Sequence, residues 1–302
     1  MTADWTDLSA RASFASHRLI GWIYWDPGAL ERYAALGVEM GGITYIASRS
    51  APLAPAGPQV VAATFYSISA EFIAAALQIT EQHTTYDAII AARNDAVVAG
   101  LTSYVPEICD GLAALAAPLW EAADALAVSG RALFAAHRQQ PRPDNDLLSA
   151  WLAVNCIREW RGDTHFAVLA TEDISATQAG LLHNAHLNYP KDWIPRSRGS
   201  DDAALAAAYA GLEARGLATG GEVNDAGLEL RQQIEDRTDA LCEQAWRILG
   251  EEHTLEFLNI VEPVGDRLVA RIDDTAGTEW MPAARHRRPY GPKGASPEAG
   301  KK

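Results

Sequence analysis

The chain has 302 residues, 48% hydrophobic and 21% charged, a globular composition that excludes wholesale disorder and is long enough for two domains. Its formal net charge of −14 is opposite in sign to that of a protein built to grip phosphate backbones. Cys109, Cys156 and Cys242 lie far apart without CxxC spacing, which excludes a disulfide framework or a thiolate zinc site and points to a reducing cytosol.

Alanine is abundant and runs rich in Val, Ile and Thr are rare, so the chain is expected to be mainly α. Residues 7–24 read as a first helix with Leu8, Ala12, Ala15, Leu19 and Ile23 on its apolar side. Asp26 as cap, Pro27 at the first position and Gly37 at the end frame a second helix. Residues 43–50, with Tyr45 and Arg49, precede a proline-rich linker over 51–58, and Pro58 starts a helix running to Tyr66. Helices at about 69–80, 84–103, 106–116 and 118–137 complete an N-terminal helical domain, 1–140.

The polar, proline-containing stretch 138–145 marks the domain boundary. Residues 150–170 then form one long helix, without proline, that holds the most concentrated polar chemistry in the chain. At helical spacing Asn155, Arg158, Gly162 and His165 share a face, Arg161 sits one turn before His165, and Glu159 and Asp163 form an adjoining i, i+4 pair. Trp151, Cys156, Trp160, Phe166 and Leu169 surround this stripe, and Gly162 is expected to admit another backbone. Helices follow at 175–187, 201–215 and 224–249, with an irregular stretch at 188–199 and a strand-turn-strand at 217–223. Residues 257–264 and 267–272 read as strands or a hairpin. The expected division is thus 1–140, 141–282 and a disordered basic tail, 283–302, of net charge +5.

The run Leu212, Glu213, Ala214, Arg215, Gly216 and Leu217, followed by a short wing and Val223–Leu230, resembles the second half of a MarR-type winged helix-turn-helix. Over about 10–260 the chain resembles an uncharacterised actinobacterial family of helical proteins labelled MarR-like. Residues 47–53, 63–66, 158–165 and 234–239 carry that likeness. The resemblance implies an N-terminal helical domain packed on a winged-helix C-terminal domain, assembled as a homodimer. Two departures weigh against DNA reading. The helix in the recognition position holds Asp201, Asp202 and Glu213 with Arg215 alone opposite, and Pro190 and Pro195 interrupt the segment before it. Between Pro141 and Pro282 there are 25 acidic and 12 basic residues. Nucleic acid is therefore an unfavoured partner, with Lys191, Arg196 and Arg198 as the candidate phosphate contacts.

Two readings of the central stripe stand side by side. One is a buried network pinning the helix through Arg–carboxylate pairs. The other is a pocket at the domain interface, with Arg158 and Arg161 anchoring an acidic group, Asn155, Glu159 and Asp163 beside them, and Arg49 and Tyr66 closing it. The expected function is binding of a small apolar or aromatic, acid-bearing molecule, for sensing or sequestration. The alternatives are an enzyme using His165 as general acid or base on that molecule, and a MarR-like repressor. No cofactor is expected; His165, His183 and His186 are the candidate ligands of a single transition metal, a weak pattern without an HExxH. No phosphate loop, dinucleotide fingerprint or nucleophile elbow is present. The N-terminus has no signal-peptide pattern and no apolar run approaches the roughly 20 residues of a membrane span, so a cytoplasmic protein without membrane contact is expected.

Overall fold

The computed structural model describes residues 4–39 and 41–285, which are mainly helical. First come α1 (Trp5–Gly21), α2 (Pro27–Ala35), α3 (Gly41–Ser50), α4 (Pro58–Phe65), α5 (Ala70–His83) and α6 (Tyr86–Tyr104). Then follow α7 (Cys109–Ala114), α8 (Ala116–Ala125), α9 (Ala132–Arg138) and the long α10 (Asp146–Thr171). α11 (Ala176–His186), α12 (Trp193–Ser197) and α13 (Asp202–Ala214) lead to a two-stranded antiparallel ribbon, β1 (Ala218–Thr219) and β2 (Glu222–Val223). α14 (Asp225–Leu249), α15 (Glu251–Val261), α16 (Gly265–Ala276) and α17 (Pro282–Arg285) close the described chain. Among the described residues no helix is long and apolar enough to cross a membrane.

Local chemistry sets the helix starts. Asp26 accepts the Ala29 N–H just ahead of Pro27, and Asn145 accepts the Leu148 N–H at the head of α10. Ser175 and Gln178 cap α11 reciprocally. The strands expected at 257–264 and 267–272 are helices instead. Thr254, Phe257, Leu258 and Val261 are buried along one face of α15, and Leu268 and Ile272 along one face of α16. Spacing by three and four residues outweighs the local β-propensity of Val and Ile.

Buried apolar side chains fall into two clusters. The larger draws on α1 to α10 and again on Cys242, Trp246, Phe257, Leu268 and Met281. The smaller joins the end of α10 to α11, α13, the ribbon and Ile234. α10 and α14 are the two helices with residues in both. The chain beyond residue 240 therefore folds back on α1. Asp26, the cap of α2, receives Arg271 of α16 at 2.7 Å, and Arg18 of α1 donates to the Ala284 carbonyl at 2.9 Å. Residues 283–285, read from composition as the start of a disordered tail, are helical, with Ala284 buried and Arg285 paired to Asp273 at 2.6 Å. Hydrophobic anchoring by Met281 explains the difference, its side chain filling the space left by Gly21. The rest of the expected tail, 286–302, lies outside the described residues.

The ribbon is fixed to α14 by a close approach at Gly227, where a Cβ would collide with the Leu217 carbonyl oxygen and the Val223 side chain. Backbone at the contact cannot step aside as a flexible side chain would. Gly227→Ala is therefore expected to destabilise the protein by about 1–3 kcal/mol, read as a lower urea midpoint at unchanged slope. An unchanged midpoint would mean that the ribbon is free to shift away from α14.

Candidate functional site: a cation-lined cavity

A cavity of about 270 Å³ opens between the two clusters, close to the lower end of the roughly 300–1,000 Å³ typical of small-molecule sites. α10 supplies one wall with Arg158, Arg161, Gly162 and His165. Because this helix is buried on nearly every side, two adjacent stripes of it do different work. Residues 158, 162 and 165 face the cavity, whereas Asn155, Glu159 and Asp163 are directed into the protein behind it.

The rear stripe is a network. Glu159 is fully buried and accepts from Arg49 twice, at 2.9 and 2.7 Å, and from Arg158 at 2.7 Å. Burial alone would raise its carboxyl, but Arg49 and Arg158 outweigh that and hold it well below the usual carboxylate range. Asn155 donates to His137 Nδ1 at 3.1 Å. His137 Nε2 donates in turn to the Arg49 carbonyl at 2.8 Å, and burial pushes this ring down to about 4. Asp163 accepts the Phe134 N–H at 3.0 Å. Burial pushes its carboxyl up to about 7, and that backbone donor only partly offsets the rise. The sequence placed Asn155, Glu159 and Asp163 at the pocket; the structure places them behind its wall. Gly162 faces the Arg49 and Glu159 side chains at ordinary contact distance, so the expected close approach of another backbone does not occur.

The cavity side is built from distant segments. α3 contributes Arg49 and Tyr45, and α1 contributes His17, whose Nδ1 accepts from Arg158 at 3.3 Å. Burial, with Arg158 and Arg161 adding to it, holds the His17 ring well below its ordinary value. Arg161 is paired with Glu235 and, at 2.7 Å, with Asp239, both on α14. Glu235 also takes Arg231 at 2.7 Å. His165 Nδ1 lies 3.0 Å from Thr238 Oγ1, whose own proton goes to the Ile234 carbonyl at 2.7 Å. With that hydroxyl proton committed to Ile234, Nδ1 of the imidazole is the nitrogen placed to donate to Thr238. His165, His183 and His186 line the same cavity, but no group of three His, Cys, Asp or Glu among the described residues is arranged to hold a metal ion.

Arg198, the C-cap that follows α12, differs from the other arginines of the wall. It donates to Ser67 Oγ at 2.8 Å, and no carboxylate among the described residues pairs with it. Burial pushes its guanidinium down to about 10, with Arg231 and Arg49 opposing its charge further, so it remains cationic at neutral pH. The sequence offered Arg198 as a phosphate contact beside Arg196. Arg196 is exposed and pairs with Asp202, while Arg198 turns into the cavity. Tyr66, expected to close the pocket, instead stacks on Phe166 at 5.4 Å and donates to the Ile174 carbonyl. Tyr45, Trp25, Trp193 and Trp280 form the apolar wall. Arg231, Glu235, Asp239 and His17 were not singled out as site residues, although 234–239 was among the stretches that carried the family likeness.

The two acids of the rear stripe give stability tests of opposite sign. Glu159→Gln leaves two guanidiniums sharing no buried carboxylate and is expected to cost about 3–5 kcal/mol, measured by chemical denaturation. Asp163 binds its proton more tightly folded than unfolded, so its unfavourable contribution is absent below pH 4 and grows as pH rises to about 7. Asp163→Asn keeps an acceptor for Phe134. It should leave stability little changed near pH 4 and raise it by at most about 4 kcal/mol at pH 8, given about 1.4 kcal/mol per pKa unit. A variant no more stable at pH 8 than the parent would mean that Asp163 ionises normally.

Residues 9–275 match the model of a helix-turn-helix family. No curated protein and no solved structure matches the chain. The matched span runs from within α1 to the end of α16 and includes most of the cavity wall, so the chain belongs to this helix-turn-helix family.

Proposed function

We propose that the protein binds a small, partly aromatic molecule bearing an acidic group in the cavity, and that Arg198 holds the acid. The observation that supports this most is the contrast among the wall arginines. Arg49, Arg158, Arg161 and Arg231 each have a carboxylate partner, and Arg198 has a hydroxyl. A half-buried guanidinium without an acid favours a carboxylate or phosphate ligand in bidentate geometry. The anchor thus moves from Arg158 and Arg161, each of which already has a carboxylate partner, to Arg198. Trp25 stacked on Tyr45 at 5.3 Å offers the ring of the ligand a flat apolar wall. In this reading the ribbon with α13 and α14 is a MarR-like winged helix kept as scaffold. The protein is a homodimer, which the exposed Leu241 and Ile248, two turns apart on α14, favour. It serves sensing or sequestration. An enzyme acting on the same molecule is the nearest alternative, supported by the proton placement at His165.

Membership of a helix-turn-helix family supports a second reading, DNA binding. The outward face of α13 speaks against it. Asp202, Ala203, Ala206, Ala207, Ala210 and Glu213 are exposed there. Arg215 at its end already donates to the carbonyls of Asp173 and Glu172, at 2.8 and 3.0 Å.

Thermal shift with a panel of aromatic carboxylates is expected to raise the Tm of the parent and leave Arg198→Ala unmoved, with no mobility shift of duplex DNA at physiological salt. A salt-dependent DNA shift together with an unresponsive cavity would reverse the order of the two readings. Native mass spectrometry of the purified protein adds the mass of any retained ligand and the oligomeric state. Loss of turnover with retained binding in His165→Ala would favour the enzyme.

A further inference from the structure

The charges on the cavity wall do not cancel. Arg161 and Arg231 are matched by Glu235 and Asp239 on α14. Arg49 and Arg158 share the one carboxylate of Glu159. Arg198 has none among the described residues. Among the described residues these five guanidiniums are thus paired with three carboxylates, a surplus of two positive charges in a chain whose net charge is −14. Asp163 accepts the Phe134 N–H through Oδ2 and forms no ion pair with these arginines, so it does not enter this balance.

The surplus is concentrated rather than spread. Arg198, Arg231 and Arg49 come from three separate elements, yet all three line the one cavity, where Arg231 and Arg49 oppose the charge of Arg198. Arg198 and Arg231 together also act against protonation of His183, which burial already keeps neutral. A monoanion would leave one of these charges uncompensated in a part-enclosed, low-dielectric space, where the cost of an unmatched charge is high. Beside the cations, Trp25 stacks on Tyr45 at 5.3 Å and meets the tilted ring of Trp280 at 5.5 Å, and Arg49 donates to the Tyr45 hydroxyl at 2.9 Å, so an aromatic wall adjoins the charged end.

We infer that the cavity takes a ligand with a dianionic headgroup, a phosphate monoester or a pair of carboxylates, carried on a flat ring. The headgroup lies among Arg198, Arg49 and Arg231 and the ring against Trp25 and Tyr45. This rests on the small-molecule reading above and specifies its ligand class. Ser67, whose oxygen accepts from Arg198, has its own proton to offer to the same headgroup.

Calorimetric titration of the full chain at neutral pH and low salt tests it with four probes: phenyl phosphate, phenyl sulfate, phthalate and benzoate. Phenyl sulfate has nearly the shape of phenyl phosphate with one charge fewer. At least one dianion is expected to bind about tenfold or more tighter than the monoanion paired with it, and which one does so identifies the headgroup. Arg198→Ala should bring that preference to about threefold or less. Arg198→Lys, which keeps the charge without the planar fork, should fall between and serves if the alanine variant does not fold. Equal affinity for dianions and monoanions, with both sensitive to Arg198, overturns the dianion inference while leaving the anion-binding reading intact. Failure of all four probes to bind overturns the inference, and the aromatic-carboxylate thermal shift then decides the broader reading on its own.

Discussion

The fully buried carboxylate of Glu159, held between Arg49 and Arg158, is the interaction on which the rest of the site depends. Ions of this kind are costly to bring out of water, and they persist only when geometry and further hydrogen bonds repay the desolvation. Here the repayment is spread over several elements. Arg49 comes from α3, its carbonyl takes His137 from α9, and His137 takes Asn155 from α10. One acid therefore ties three helices together and also fixes two guanidiniums in the cavity wall. Local strengthening and site construction are the same event.

The cavity could not exist as an apolar void. At about 24 cal/mol per Å³ a dry cavity of 270 Å³ would cost some 6 kcal/mol, comparable with the net stability of a whole domain. Charged groups change the sign of that argument. Guanidiniums on the wall resist collapse because closing the space would strip their remaining solvation without supplying partners. The place where the two apolar clusters fail to meet is thus also where the chain has put its cations. α10 and α14 cross it, and the pairing of Arg161 with Glu235 and Asp239 joins them there.

Much of this was legible in the sequence, and what was not has physical causes. Cap and proline announced α2, the proline-containing stretch 138–145 announced the break before α10, and the polar stripe of 155–165 marked the right helix. Its division was not legible. Asn155, Glu159 and Asp163 recur every four residues, as Arg158 and Gly162 do, and on a helix buried all round no amphipathic pattern says which stripe meets the void. Arg198, Arg231 and His17 are brought to the site by tertiary folding from far along the chain, and nothing local distinguishes them from surface charges. α15 and α16 were mistaken for strands because Val and Ile at the right density mimic a hairpin, when their spacing already fitted a helix.

The same distribution of charge bears on the helix-turn-helix. A surface that reads a duplex and a cavity that reads an anion both require positive charge. Of the 12 basic residues between Pro141 and Pro282, Arg158, Arg161, Arg198 and Arg231 face the cavity. Acids are exposed outside it, Asp201, Asp202 and Glu213 among them at and along α13. Reversing this would take several substitutions on α13, each adding a cation next to an existing acid, with no change inside. In this helix-turn-helix chain, cations are gathered on the cavity wall and acids on the outer face of α13, which is the arrangement that the proposed recognition of a small anion requires.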